Sequence, residues 1–118
     1  MDDDCTIYKT ADFIGKRWTL VIILALYKGN GTKRYTELKR EISGITSKIL
    51  SLRLKELEKQ GLVKKRIDTS TVPISCYYSL SKIGADFIGI IKDMKSWALK
   101  WNIDNRVCSM SNCKDCKL

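Results

Sequence analysis

Two stretches of this chain carry residues that could do chemistry: a cluster of thiols near one end and a block of cations in the middle. Cys108, Cys113 and Cys116 are spaced C-x4-C-x2-C, and three of the five cysteines therefore fall within nine residues. No apolar periodicity surrounds them, so nothing in the tail is arranged to bury them. Histidine is absent. A metal held here would be bound by thiolates, which suits zinc first and an iron–sulfur cluster second. Three thiols are one short of a closed site. Oxidation chemistry and idle thiols in a frayed tail are the other readings of the same spacing.

The cationic block runs from Lys33 to Arg66. It holds eleven lysines and arginines against four glutamates, so +7 of the formal +9 sits in that segment. A concentrated positive field attracts polyanions, either nucleic acid or an anionic membrane surface. The membrane alternative is the weaker one, because no apolar run approaches the roughly 18 residues that span a bilayer. The N-terminus, Met1-Asp2-Asp3-Asp4, lacks the basic-then-apolar order of a secretory signal. A cytoplasmic location with reduced cysteines is the expectation.

The elements that must position those cations follow from periodicity. The run Trp18–Tyr27 is apolar almost all round and predicts a buried helix, stopped by Lys28-Gly29-Asn30-Gly31. Arg34-Tyr35 has room for a very short strand. Tyr35, Leu38 and Ile42 then recur at three and four, which predicts a short helix over Thr36–Ile42. Ser43-Gly44-Ile45 makes a tight turn, Thr46 can cap a second helix running to Gln60, and Gly61 stops it. Two short helices joined by a glycine-containing turn are the helix-turn-helix pattern. At about 100° per residue, Ile49, Leu50, Leu54 and Leu57 share one side of the second helix. Ser47, Lys48, Ser51, Leu52 and Lys55 share the other, at the helix end where backbone N–H groups are free for a phosphate and side chains can reach base edges. Arg53 lies on the flank, open to a phosphate contact or to an internal salt bridge.

After Gly61 the period changes. Leu62–Ile67 and Ile74–Leu80 are β-prone runs on either side of the polar stretch Asp68–Pro73, which predicts a hairpin, the wing. Its cations, Lys64, Lys65 and Arg66, lie on the first strand and are candidates for phosphate contacts. From Ser81 to Trp101, Leu80, Gly84, Phe87, Ile91, Met94, Ala98 and Trp101 alternate at four and three, and Ile83, Ile90 and Trp97 run beside them at seven. Two adjacent stripes exceed what one small core needs. A dimer helix is the expectation, with Phe87, Ile90, Ile91, Met94, Trp97, Ala98 and Trp101 at the interface.

These segments resemble the HxlR-type winged-helix regulators, relatives of the MarR-like group. The resemblance is carried, in order, by Ile14-Gly15-Lys16-Arg17-Trp18-Thr19, Arg34-Tyr35-Thr36-Glu37-Leu38, Ile42-Ser43-Gly44-Ile45-Thr46, Leu50–Glu58, Gly61-Leu62-Val63, Pro73, Tyr78-Ser79-Leu80-Ser81 and Gly84. It implies a compact homodimer joined by N- and C-terminal helices, binding double-stranded DNA at inverted-repeat operators, with the helix from Thr46 as recognition helix. It also implies that both chain ends lie near the dimer helices, which would let Cys5 complete a site with Cys108, Cys113 and Cys116. Some members sense oxidants through a cysteine near the N-terminus, roughly where Cys5 stands. Two features depart from the family: Cys76 in a wing strand where an aliphatic residue is common, and the cysteine-rich extension.

The fold expected is therefore mainly α with a small β-hairpin wing (α+β), a dimeric winged helix-turn-helix over residues 1–104 followed by a cysteine-rich tail over 105–118. Catalysis finds no support: the chain has no histidine for general-base work, no paired carboxylates and no phosphate-binding glycine loop. The function expected is a sequence-specific transcriptional regulator, a repressor, responsive to redox or metal through its cysteines. The competing classes are an iron–sulfur electron-transfer protein and a winged-helix module that binds protein.

Overall fold

A computed structural model of the chain describes residues 2–101 and 112–115. The elements run α1 (Thr6–Ile14), α2 (Thr19–Tyr27), β1 (Thr32–Arg34), α3 (Tyr35–Glu41), α4 (Ser47–Lys59), β2 (Val63–Asp68), β3 (Ser75–Leu80) and α5 (Lys82–Lys100). This is a winged helix-turn-helix, with a three-stranded antiparallel sheet in the order β1-β3-β2.

The centre of the molecule is α2. Ile22, Ile23 and Leu26 are completely buried, and Leu38 of α3 and Leu50, Leu54 and Leu57 of α4 close over them. Leucines at 50, 54 and 57 are one inward stripe at helical spacing, which is why α4 packs by one side and leaves the other in solvent. The strand expected at Arg34-Tyr35 ends one residue earlier, because Tyr35 already opens α3. The first helix, α1, has no buried residue. Ile7, Ala11 and Ile14 stand at four and three, and Phe13 and Ile14 pack partly buried against the core, so a short amphipathic pattern is present, but a helix is expected there only from the family resemblance.

Two glycines are required by geometry. Gly61, which ends α4, has φ of 83°, a left-handed conformation costly for a residue with a Cβ. Gly84 is in α5, where an added Cβ would lie 2.1 Å from the Leu62 carbonyl oxygen. Its bare backbone lets α5 press against the start of the wing. Ser81 fastens the same junction: its hydroxyl oxygen accepts from the Gly84 N–H at 3.1 Å while its proton goes to the Gly61 carbonyl.

The outer helix α5 packs on α2 and β3. Gly84, Ile88 and Ile91 are its buried residues, and Phe87 packs partly buried against the core. This corrects the sequence assignment of Ile91, and in part of Phe87, to an intersubunit surface: the positions four and seven after Gly84 point to α2, and Ile91 is only 9% exposed. The second stripe, Ile83, Ile90 and Trp97, does face outward, and Met94 and Trp101 of the first line join it; all five are at least half exposed, and Ala98 lies at the margin.

Candidate nucleic-acid interface

Thr46 precedes α4 in extended conformation, and its hydroxyl accepts from the Ile49 N–H at 3.2 Å. The cap satisfies one backbone donor and leaves the remaining first-turn N–H groups facing outward. Ser47, Lys48, Ser51, Leu52 and Lys55 are all exposed, on the side of α4 away from Leu50, Leu54 and Leu57. The helix therefore presents two hydroxyls, two cations and one apolar side chain, a set that can bond base edges, neutralise phosphates and contact a thymine methyl.

Arg53 is not part of that surface. Its Nε donates to the Arg17 carbonyl at 3.0 Å and its Nη1 to Glu56 Oε1 at 3.0 Å. Glu56 also receives Lys16 Nζ at 3.2 Å. Of its two expected roles, the internal one is the one the fold uses, tying α4 to the turn before α2. Lys33 is likewise withdrawn from the cationic block, buried beside Glu41 with which it pairs. Two of the eleven cations thus serve the fold.

The wing extends the cationic surface. Lys64, Lys65 and Arg66 are exposed along β2. The register aligns Arg34, Tyr77 and Arg66 in one row across the sheet. The Arg66 guanidinium stacks 4.4 Å from the Tyr77 ring centre and that of Arg34 lies 5.3 Å from it, while Arg34 Nε and Nη2 donate to the Tyr77 hydroxyl at 3.2 and 3.0 Å. The hydrogen bond to Tyr77 raises the Arg34 pKa further above its usual value. Asp68, at the end of β2, is held below the usual carboxylate range by hydrogen bonds from the Ser70 hydroxyl and backbone N–H. The stacking fixes two guanidinium groups that would otherwise lose rotamer freedom on meeting a phosphate. Sequence reasoning missed Arg34 and Tyr77, because only strand register brings them beside Arg66.

It also missed the anchor of the α4 N-terminus. Tyr35 counted only as an apolar position of α3, yet its hydroxyl donates to the Ser47 carbonyl at 2.9 Å and lies 3.0 Å from Ser51 Oγ. A tyrosine where phenylalanine would fill the same space was the available signal.

The three described cysteines lie on different parts of the chain. Cys5 precedes α1 and is partly buried, and Cys76 packs against the core from β3 as a small strand residue. Cys113 is free and partly buried. Next to it, the Lys114 ammonium lies 5.4 Å from the centre of the Tyr27 ring. Cys108 and Cys116 lie outside the described residues, and among the described residues no three cysteine or acidic side chains are grouped to hold a metal ion. Among the same residues, no helix is long and apolar enough to cross a membrane.

Comparison with known proteins agrees with this architecture. The HxlR-like helix-turn-helix family model matches residues 13–106. The HTH-type transcriptional regulator YvaP of Bacillus subtilis is 34% identical over 93 residues, covering 79% of this chain and 83% of its own. A crystal structure of a MarR-family transcriptional regulator from Porphyromonas gingivalis superposes with a TM-score of 0.75 at 34% identity, over 85% of this chain and 95% of that one. The reduced form of the transcriptional regulator YodB from B. subtilis superposes with a TM-score of 0.72 at 31% identity, over 84% of this chain and 95% of that one. These relatives are regulators rather than enzymes, and with the helix-turn-helix and wing in place the chain belongs to the HxlR-like helix-turn-helix family of transcriptional regulators.

Proposed function

We propose that the protein is a sequence-specific regulator that reads inverted-repeat DNA as a homodimer, with α4 in the major groove and the wing on the flanking backbone. The observation that carries this reading is the solvent face of α4. Ser47, Lys48, Ser51, Leu52 and Lys55 are all exposed together at a capped helix end, and Lys64, Lys65 and Arg66 continue the positive surface on β2. Pairing through α5 is supported by Ile90, Met94, Trp97 and Trp101, which are too large and too contiguous to be left in water. A two-fold axis there would set two recognition helices about one helical turn apart, roughly 34–36 Å. Repression is the proposed outcome where such an operator overlaps a promoter, because the bound dimer would then exclude polymerase.

Salt is the direct test. Each phosphate neutralised releases counterions, so log affinity for a genomic operator falls with log salt at about −0.9 per contact. Lys64→Ala is expected to weaken all duplexes alike and to lower that slope by about one unit. Absence of binding to any genomic fragment at low salt, in a fluorescence anisotropy titration, would overturn the proposal.

A redox-responsive variant of this function draws on the relatives. YodB has been solved both reduced and diamide-treated, and a similar structure is that of the redox regulator HypR in its reduced form. Here Cys5 stands directly before α1, and α1 packs on α2, so oxidation of that thiol would act on the helices framing the core. The tail thiols Cys108, Cys113 and Cys116 are the second place for such a response, by zinc release or by disulfide formation.

A further inference from the structure

The geometry points to Tyr35 as a specificity-determining residue: by taking the only proton of the Ser51 hydroxyl, it turns Ser51 into an obligate acceptor that selects amino bases, adenine or cytosine, over keto bases. The inference rests on the proposed DNA reading by α4 and says what one of its side chains reads.

The argument is proton accounting. A tyrosine hydroxyl has one hydrogen and a carbonyl oxygen can only accept. The Ser47 carbonyl oxygen, 2.9 Å from the Tyr35 hydroxyl, has no hydrogen to give, so in that hydrogen bond the tyrosine is the donor. Ser51 Oγ lies 3.0 Å from the same tyrosine oxygen. When both hydrogen bonds are made at once the tyrosine hydrogen is used, and Ser51 is the donor in the second. A serine hydroxyl also has a single hydrogen, and what remains for a third party is its lone pairs. A free serine would be indifferent, since its hydroxyl rotates to give or to accept.

In the major groove that difference is readable. Adenine presents an N6 amine donor beside its N7 acceptor and cytosine an N4 amine donor, whereas guanine (O6 and N7) and thymine (O4) present acceptors only. An acceptor-only Ser51 bonds the first pair and sets lone pair against lone pair with the second. Ser51 is on the exposed face of α4, one turn from its start, where recognition helices contact base edges. Tyr35 is itself fixed, at the start of α3 and packed against the core, so its hydroxyl is a rigid reference. Its neighbour Arg34 belongs to the wing row with Tyr77 and Arg66, which places this pair of hydrogen bonds between the two proposed DNA-contacting elements.

The test is selection of a randomised duplex library by the full-length protein, followed by affinity measurements on single-base variants of the selected duplex. Wild type should show one position per half-site at which adenine or cytosine is preferred over guanine or thymine by about five- to tenfold. Ser51→Ala identifies that position by abolishing the preference. Tyr35→Phe, which keeps the ring and removes only the hydroxyl, should reduce it to under twofold by allowing Ser51 to donate, with discrimination elsewhere in the half-site unchanged. An unaltered profile in Tyr35→Phe, or a keto-base preference at the Ser51 position, overturns the inference while leaving DNA reading intact. Loss of discrimination at every position in Tyr35→Phe also overturns it, since that is what simple loosening of α4 would do. If wild type selects no duplex at all, the inference falls together with the DNA-reading proposal.

Discussion

Helices α4 and α5 are built alike on their inner sides and oppositely on their outer ones. Leu50, Leu54 and Leu57 face inward from α4, and Gly84, Ile88 and Ile91 face inward from α5. Outside, α4 carries Ser47, Lys48, Ser51 and Lys55, whereas α5 carries Ile83, Ile90, Met94 and Trp97. The inner faces follow from the need to cover α2 and reveal only the fold. Partner chemistry is legible in the outer faces: a hydrated polyanion meets hydroxyls and ammoniums with little desolvation, while exposed tryptophan and isoleucine gain only when another apolar surface covers them.

The comparison breaks most sharply at adjacent turns of α5. Ile91→Lys would place an ammonium in the core, where an unpaired charge is not tolerated, and it should abolish the cooperative thermal transition. Met94→Lys, one turn further on the outward stripe, should leave secondary structure intact and convert the proposed dimer to monomer. Circular dichroism and light scattering on both variants separate the two faces. A folded Ile91→Lys protein, or a wild type that is monomeric at micromolar concentration, would contradict the assignment.

On α4 the same contrast is expected in different observables. Leu54→Ala removes a completely buried side chain and should cost roughly 2–5 kcal/mol of stability, read from urea denaturation. Lys55→Ala, the next residue, should stay within about 0.5 kcal/mol in stability while weakening binding to DNA. Were Lys55→Ala as destabilising as Leu54→Ala, the outer face of α4 would be serving the fold.

How much of this could be read beforehand depends on whether a residue's role was local. The α4 stripes, its Thr46 cap and the Gly61 stop follow from spacing within one helix, and all were legible in the sequence. Arg53 was half legible: an internal salt bridge was one of its two readings and Glu56 stands three residues on, but the bond to the Arg17 carbonyl, which only folding brings near, settles which role it takes. Lys33 looked like one more cation of the block until α3 placed Glu41 beside it. Ile91 fell on the wrong side because the Leu80-to-Trp101 line drifts around the helix, so its early members face α2 while Met94 and Trp101 have turned outward. The row Arg34–Tyr77–Arg66 and the Tyr35 anchor depend on strand register and on a contact between helices, neither of which a periodicity encodes.

The smallest contrast lies in the two serine or threonine caps. Thr46 caps α4 in the open, accepting one bond from the Ile49 N–H, and Thr46→Ala should cost about 1 kcal/mol. Ser81 caps α5 while 8% exposed, and it serves the Gly84 N–H and the Gly61 carbonyl at once. Ser81→Ala leaves a part-buried carbonyl with one partner fewer as well as an uncapped helix, and an unsatisfied buried polar group costs up to about 1–3 kcal/mol. Ser81→Ala should therefore exceed Thr46→Ala in thermal denaturation, with Thr46→Ala shifting Tm by about 4–8 °C. The order matters because α4 has a second fastening at the same end, the Tyr35 hydroxyl on the Ser47 carbonyl. If Thr46→Ala proves nearly silent, that tyrosine holds the start of the helix by itself, and combining Thr46→Ala with Tyr35→Phe should then cost more than the two single changes added together.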